Sequence, residues 1–418
     1  LLYDAQRRGF GSDGFVCNMF ICLFGKFGTL AEAELTFGNL VFQDVKSWTI
    51  MFCAYVDQGR GDRALQFYRQ MHVNGIHPDA HMFVTAFHAC VTLAEKKVPL
   101  EMGSTTRQMS LDIGVALHQD VKSNGLTSNV FVNTALLTLY WKCGKLLEAE
   151  GVFNKLSQRS IVSWTAMLSA YVEHDQHAKA LCLYQKMRQE LVTMDDVTLV
   201  CVLQACSETG NLEITKHLHF IITLAGECGQ KNSLPATLVH AYSSCASMDN
   251  ARNLFDGLIQ PDVVSWGAVI ASCTQHGDLD LAFWYLTDMK QWGLKPSNII
   301  FTSMLTACCS TGVLEEGYKV FKLMTETYEI VPDKEHYSCI IDLLSRAGYL
   351  HDGLALLSSI PTEPDTIMWT SLLTGCKIYG NVEMGNECYK KLLQEVNPKD
   401  MSAHVLMSQI WSDACGYE

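Results

Sequence analysis

Two residue types keep the same irregular interval along this chain of 418 residues. Ser-Trp recurs at Ser47-Trp48, Ser163-Trp164 and Ser265-Trp266, and Trp369 follows within Ile367-Met368-Trp369-Thr370, so the tryptophans step by 116, 102 and 103 residues. Cys90, Cys206 and Cys308 are separated by 116 and then 102. Two markers sharing one irregular step imply internal repeats, and a repeat too small to bury its own apolar face must stack on its neighbours. That requirement overrides the roughly three globular domains suggested by length alone. It predicts one continuous, quasi-linear core.

The 102-residue period divides into three units. Residues 161–195 carry Trp164, Met167, Leu168 and Tyr171 at i, i+3, i+4 and i+7, which places them on one helical face. After a polar break at His174–Gln176, Ala180, Leu183, Tyr184 and Met187 repeat the spacing on a second helix. The unit reads as an αα-hairpin of 35 residues. Residues 196–231 and 232–262 form the next two units, 36 and 31 residues long, and the pattern restarts at Val263-Val264-Ser265-Trp266. The longer first step needs extra residues near 94–110. Lys96-Lys97, Pro99, Gly103 and Ser104 suit a surface loop between paired helices there.

Composition narrows the function classes. Apolar residues make up 48% of the chain and charged residues 18%, which argues against disorder. No apolar run approaches the ~18 residues of a membrane span, since the best candidate, Phe15–Phe24, is cut off by Lys26. The 17 cysteines sit in apolar strings such as Thr306-Ala307-Cys308-Cys309, and no C-x-x-C occurs. They read as small core residues of a reducing compartment, not as a disulfide or zinc framework. The opening Leu1-Leu2-Tyr3 has neither Met nor a basic leader, which fits a piece of a longer protein. A net charge of −13 runs against the usual basic surface of nucleic-acid binders.

The alternation of 35, 36 and 31 residues, together with these strings, resembles the plant pentatricopeptide repeat proteins of the PLS class. The resemblance covers nearly the whole chain. Residues 1–13 look like the tail of an L repeat, and 14–365 read as tandem repeats: S (14–44), P (45–79), L with the insertion (80–129), S (130–160), P (161–195), L (196–231), S (232–262), P (263–297), a last L variant (298–333) and a last S variant (334–365). Residues 366–400, with Trp369, Cys376, Gly380-Asn381-Val382-Glu383 and Asn397-Pro398, resemble the E motif. Residues 401–418 look like the start of a second, truncated E-type motif. The implied fold is all-α, a right-handed superhelical α-solenoid of stacked helix-turn-helix repeats.

The family reads single-stranded RNA at one base per repeat, through the fifth and the last residue of each unit. Carried over, the reading pairs are Asn18 with Asp44, Thr49 with Asp79, Thr134 with Ser160, Thr165 with Asp195, Ala236 with Asp262, Gly267 with Ser297, Thr302 with Asp333, and Ser338 with Asp365. In the family, Thr or Ser with Asp favours guanine, and Asn with Asp favours uracil. Ala236 and Gly267 lack a polar group and should read loosely. The second residue of each repeat resembles the apolar wall that sandwiches the base: Phe15, Phe131, Val162, Val197, Val264 and Ile299, with Lys46, Ser233 and Glu335 departing from it. A repeat-end Asp has an alternative role open to it, as N-cap of the next helix, and one residue can do both.

The implied protein is a sequence-specific binder of organellar RNA, in mitochondrion or chloroplast. It would act as a site-recognition factor for C-to-U editing that recruits a deaminase or accessory editing factor through the E motif. No cofactor, metal or membrane is expected. The alternative is a tetratricopeptide-like scaffold for protein partners, whose units keep about 34 residues instead of alternating. An enzyme has no supporting constellation: none of the 14 histidines begins an H-x-E, and the P-C-x-x-C of the family's DYW deaminase domain is missing. Gly9–Gly14 matches G-x-G-x-x-G without a preceding strand and reads as an inter-repeat turn. His217 and His219 lack further metal ligands nearby in sequence.

Overall fold

The computed structural model describes residues 13–27, 29–58, 60–95, 100–224, 234–361, 363–396 and 401–415. Among them every regular element is helical. The chain forms two compact units, Leu1–Ala205 and Cys206–Glu418.

In the first unit the helices pair along the sequence as Gly14–Phe27 with Leu30–Gly38, Val45–Asp57 with Gly61–Val73, Ala80–Glu95 with Leu100–Ser123, Val130–Lys142 with Leu146–Lys155, and Ile161–Glu173 with His177–Gln189. Each first helix packs on its own partner and on the first helix of the next pair. The first helices therefore form one layer and the second helices another. The second unit repeats this with first helices Leu234–Ser244, Val263–Gln275, Asn298–Thr311, Lys334–Arg346 and Thr366–Ile378. Short turns join the partners. Gly144 and Gly348, at φ of 78° and 85°, supply the left-handed residue these turns need, a conformation that costs glycine nothing.

The recurring tryptophans are core. Trp48, Trp164, Trp266 and Trp369 are almost completely buried. Three meet a phenylalanine of the preceding hairpin edge to face, with ring centroids at 5.1 Å for Phe37–Trp48, 5.1 Å for Phe153–Trp164 and 4.7 Å for Phe255–Trp266. Each such pair staples one hairpin to the next and contributes about 0.5–1.5 kcal/mol beyond its area burial. The Nε1 of all four indoles has no hydrogen-bond partner among the described residues. Cys90, Cys206 and Cys308 are also fully buried.

The insertion differs from the expected surface loop. Residues 96–99 lie outside the described residues, and from Leu100 the chain is a single helix to Ser123, 24 residues long. Gly103 and Ser104 each cost a helix no more than about 1 kcal/mol, and no proline falls between Pro99 and Ser123. Ser110, Leu111, Leu117 and Val121 anchor the helix by burial. Gly114 lets Leu139 approach so closely that a Cβ there would stand 2.2 Å from Leu139 Cδ2. Of the string Gly9–Gly14, residues 9–12 lie outside the described residues, while Gly14 opens a helix whose first N–H groups at Phe15 and Val16 donate to Asp13.

Candidate nucleic-acid interface

The layer of first helices carries the residues of interest at its N-terminal ends. Phe15, Phe131, Val162 and Val197 in the first unit, and Val264 and Ile299 in the second, are 56–75% exposed. Each is the second residue of a first helix. Ile367 occupies the same place on Thr366–Ile378 and is also exposed, extending the row beyond the residues expected from sequence. A large apolar side chain left in water at the same place of successive hairpins marks a surface made to be covered. Lys46, His81 and Glu335 interrupt the row and are exposed, whereas Ser233 lies outside the described residues.

Every repeat-end aspartate caps the helix that follows. Asp44, Asp79, Asp195, Asp262, Asp333 and Asp365 each accept, through Oδ1, the N–H three residues on, at 2.7–3.2 Å. Ser47 and Ser265 add their hydroxyls to the same Oδ1 at 2.7 Å. Those Ser47 bonds hold the Asp44 carboxyl below its ordinary range. In all six, Oδ2 has no partner among the described residues. One oxygen positions the side chain, and the other remains available as an acceptor. Ser160 caps more weakly, at 3.3 Å, and Ser297 makes no side-chain cap bond.

The fifth residue of each first helix lies one turn further in. Thr49, Thr134 and Ser338 donate to the carbonyl four residues back, all at 2.8 Å, and Thr302 does so at 3.2 Å. A hydroxyl has one proton, so a bonded one offers only lone pairs to anything outside. Thr165 lies 2.7 Å from the hydroxyl of Thr198. Asn18 is almost buried, and its Oδ1 has no partner among the described residues. An orphan of that kind costs about 1–3 kcal/mol until a ligand or water meets it. Ala236 is buried and Gly267 half-buried, neither offering a polar side chain.

Cavities collect these positions. One of about 540 Å³ is lined by Phe15, Asn18, Asp44 and Lys46 among others. A second, of about 450 Å³, is lined by Lys46, Thr49, Asp79 and His81, with Lys26 and Asp57 also in its lining. A third in the second unit, of about 350 Å³, is lined by Ile299, Thr302 and Glu335. In the first two, a wall residue, a fifth residue and a repeat-end aspartate surround one space, closed by the second residue of the next hairpin. Lys46 departs from the apolar pattern of the wall, yet it lines both cavities. Its alkyl stem can flank a flat ring while the ammonium stays in water.

Among the described residues no His, Cys, Asp and Glu cluster could hold a metal. His219 Nδ1 lies 2.9 Å from Tyr242 Oη, and burial pushes its pKa down. No described helix is long and apolar enough to cross a membrane.

The PPR repeat family matches residues 43–92, 159–208 and 261–310, and the PPR repeat matches 134–161, 299–326 and 367–395; together they cover more than half of the chain. This chain is a pentatricopeptide repeat protein. The span 367–395 falls where an E motif was expected, and it matches the repeat itself. Relatives in Arabidopsis thaliana include a pentatricopeptide repeat-containing protein named as chloroplastic, 31% identical over 83% of this chain and 45% of the relative. Another, named as mitochondrial, is 29% identical over 96% of this chain and 61% of the relative. This pentatricopeptide repeat chain thus spans about half the length of such relatives. The solved structure of the pentatricopeptide repeat protein PPR10 in complex with an 18-nt psaJ RNA element aligns with 99% of this chain and 60% of its own, at a TM-score of 0.73 and 17% identity. That likeness shows the fold: an all-α solenoid of stacked helical hairpins.

Proposed function

We propose that this chain binds single-stranded RNA, one base per repeat, with each base held between second-position side chains of adjacent hairpins. Its edge is then read by the fifth residue and the free Oδ2 of the repeat-end aspartate. The observation that carries this reading is the shared cavity, in which Phe15, Asn18, Asp44 and Lys46 enclose one space and Lys46, Thr49, Asp79 and His81 the next. Stacking of a base on such a wall contributes about 1–3 kcal/mol.

The hydrogen-bond inventory favours particular bases. At Thr49 and Asp79 both available groups are acceptors, because the Thr49 proton is committed to the Val45 carbonyl. Two acceptors select an edge presenting two donors, as guanine does with N1–H and its 2-amino group. At Asn18 and Asp44 an amide joins a carboxylate, which suits uracil: the amide N–H₂ meets a carbonyl and the carboxylate takes N3–H. The residue classes agree with those the family resemblance implies.

A role as site-recognition factor for C-to-U editing, with a deaminase acting in trans and recruited near residues 366–400, extends the same reading. So does residence in chloroplast or mitochondrion, the compartments in the names of the two relatives. Binding is tested by gel shift with RNA carrying guanine, then adenine, opposite Thr49/Asp79. Tighter binding of the guanine RNA is expected, and equal affinity rejects the assignment. The editing role is tested by adding a catalytically competent deaminase partner with the cognate RNA, where conversion must depend on this chain.

A further inference from the structure

The reading pair of Thr165 and Asp195 is wired differently from that of Thr49 and Asp79. Thr198, the third residue of the following first helix, is fully buried and cannot touch a bound base. Its Oγ1 lies 2.6 Å from Asp195 Oδ1 and 2.7 Å from Thr165 Oγ1. An ionised carboxylate can only accept, so the Thr198 proton goes to Asp195. Thr198 then has only lone pairs left for Thr165, and Thr165 must donate to it. No back-bond from Thr165 to the carbonyl four residues earlier competes among the described residues. The chain Thr165 to Thr198 to Asp195 thus fixes both the position and the polarity of the two reading groups.

We infer that Thr198 is a specificity-positioning residue for the repeat before its own. By committing the Thr165 proton, it turns that hydroxyl into an obligate acceptor, and by holding Asp195 Oδ1 it presents Oδ2. The pair then accepts two hydrogen bonds and donates none, which selects guanine over adenine. Without Thr198, the Thr165 hydroxyl can rotate and donate to adenine N1, and the distinction weakens. In the second unit a buried histidine lies against both members of a pair. His336, also fully buried, places Nδ1 2.6 Å from Asp333 Oδ1 and Nε2 3.2 Å from Thr302 Oγ1. There, however, Thr302 also donates to the Asn298 carbonyl, which His336 Nε2 approaches as well, at 3.1 Å, so the Thr302 proton is committed by its back-bond. At the Thr49 pair the corresponding residue is Met82, which contributes only its N–H, at 2.8 Å.

The inference rests on the RNA-reading account, and its test separates the two. The full chain and its variants are titrated by fluorescence anisotropy with RNAs carrying guanine or adenine at the nucleotide opposite Thr165/Asp195, and, as control, opposite Thr49/Asp79. T198V is expected to lose roughly five- to tenfold of the guanine preference at the first nucleotide only, about the worth of one hydrogen bond. T198S, which keeps the hydroxyl, should retain the preference. Undiminished preference in T198V overturns the inference alone, as does equal loss in T198S or at both nucleotides. A wild-type chain that discriminates at neither nucleotide overturns the reading account and the inference with it. T198A carries the same comparison if T198V does not fold.

Discussion

Asp44 tests whether one carboxylate holds a helix and reads a base with different oxygens. Its Oδ1 takes both the N–H and the hydroxyl of Ser47, each at 2.7 Å. Removing the side chain in D44A deletes the cap of Val45–Asp57, a loss of about 1 kcal/mol. Because repeats are coupled mainly to their neighbours, the loss should be read locally. Hydrogen exchange of peptides covering 45–57 should quicken about fivefold in D44A. D44N should exchange like wild type, since Asn caps about as well as Asp. RNA binding should separate the variants the other way, with D44N weakened severalfold for RNA carrying uracil opposite Asn18, because its amide no longer presents an anionic acceptor. The Ser47 hydroxyl, then its N–H, holds the Asp44 carboxyl below its ordinary 3.8. The ionised cap's contribution is therefore complete above that value and fades as pH falls through the lower folded value. Exchange in D44N as fast as in D44A, or unchanged RNA affinity in D44N, would refute the division of labour.

Three further outcomes follow from the same geometry. W164A removes a side chain stapled to Phe153 and should cost about 3–5 kcal/mol in urea unfolding; a change below about 1 kcal/mol contradicts its core role. RNA affinity should fall only gently with salt, with a slope of log K on log[salt] of about −1.4, at about −0.7 per phosphate contact on a single strand. Lys26 and Lys46 are the basic groups lining the first-unit cavities, whereas Lys142 is held by Glu95 and Glu173 at 3.0 and 3.3 Å. A slope steeper than about −5 points to a phosphate-driven mode instead. Exposed Cys22 and Cys182 should alkylate first, while Cys90, Cys206 and Cys273, whose thiols burial pushes up to about 12, should resist until unfolding. Early labelling of the buried three contradicts the packing.

The repeat architecture was legible because burial imposes periodicity. Trp164, Met167 and Leu168 face the core at helical spacing, and so the hairpins, the turn at Gly144 and the packing role of the tryptophans could be read directly. The stapling partners Phe37, Phe153 and Phe255 were visible in principle, each standing 11 residues before its tryptophan. The helix across 100–123 was missed, because Gly103 and Ser104 weigh towards a loop locally while burial of Leu111, Leu117 and Val121 decides the matter through tertiary contact. Whether a repeat-end aspartate caps or reads was undecidable from residue type alone, since each oxygen has its own geometry. Lys46 departs from the apolar wall by residue type, yet it lines both cavities of the first unit. Thr198 carries no motif, and only its distances to Thr165 and Asp195 give it a role.

The central claim is that the fifth residue and the repeat-end aspartate together choose the base. Exchanging Thr49 for Asn tests it most directly, because Thr49 shares a cavity of about 450 Å³ with Asp79 and Lys46. Binding of T49N is compared across four RNAs differing only at the nucleotide opposite this repeat, with helicity followed by circular dichroism. The account predicts that preference moves from guanine to uracil at that nucleotide alone, with helicity retained. An unmoved guanine preference in a folded T49N, or a shift spread over all positions, contradicts it.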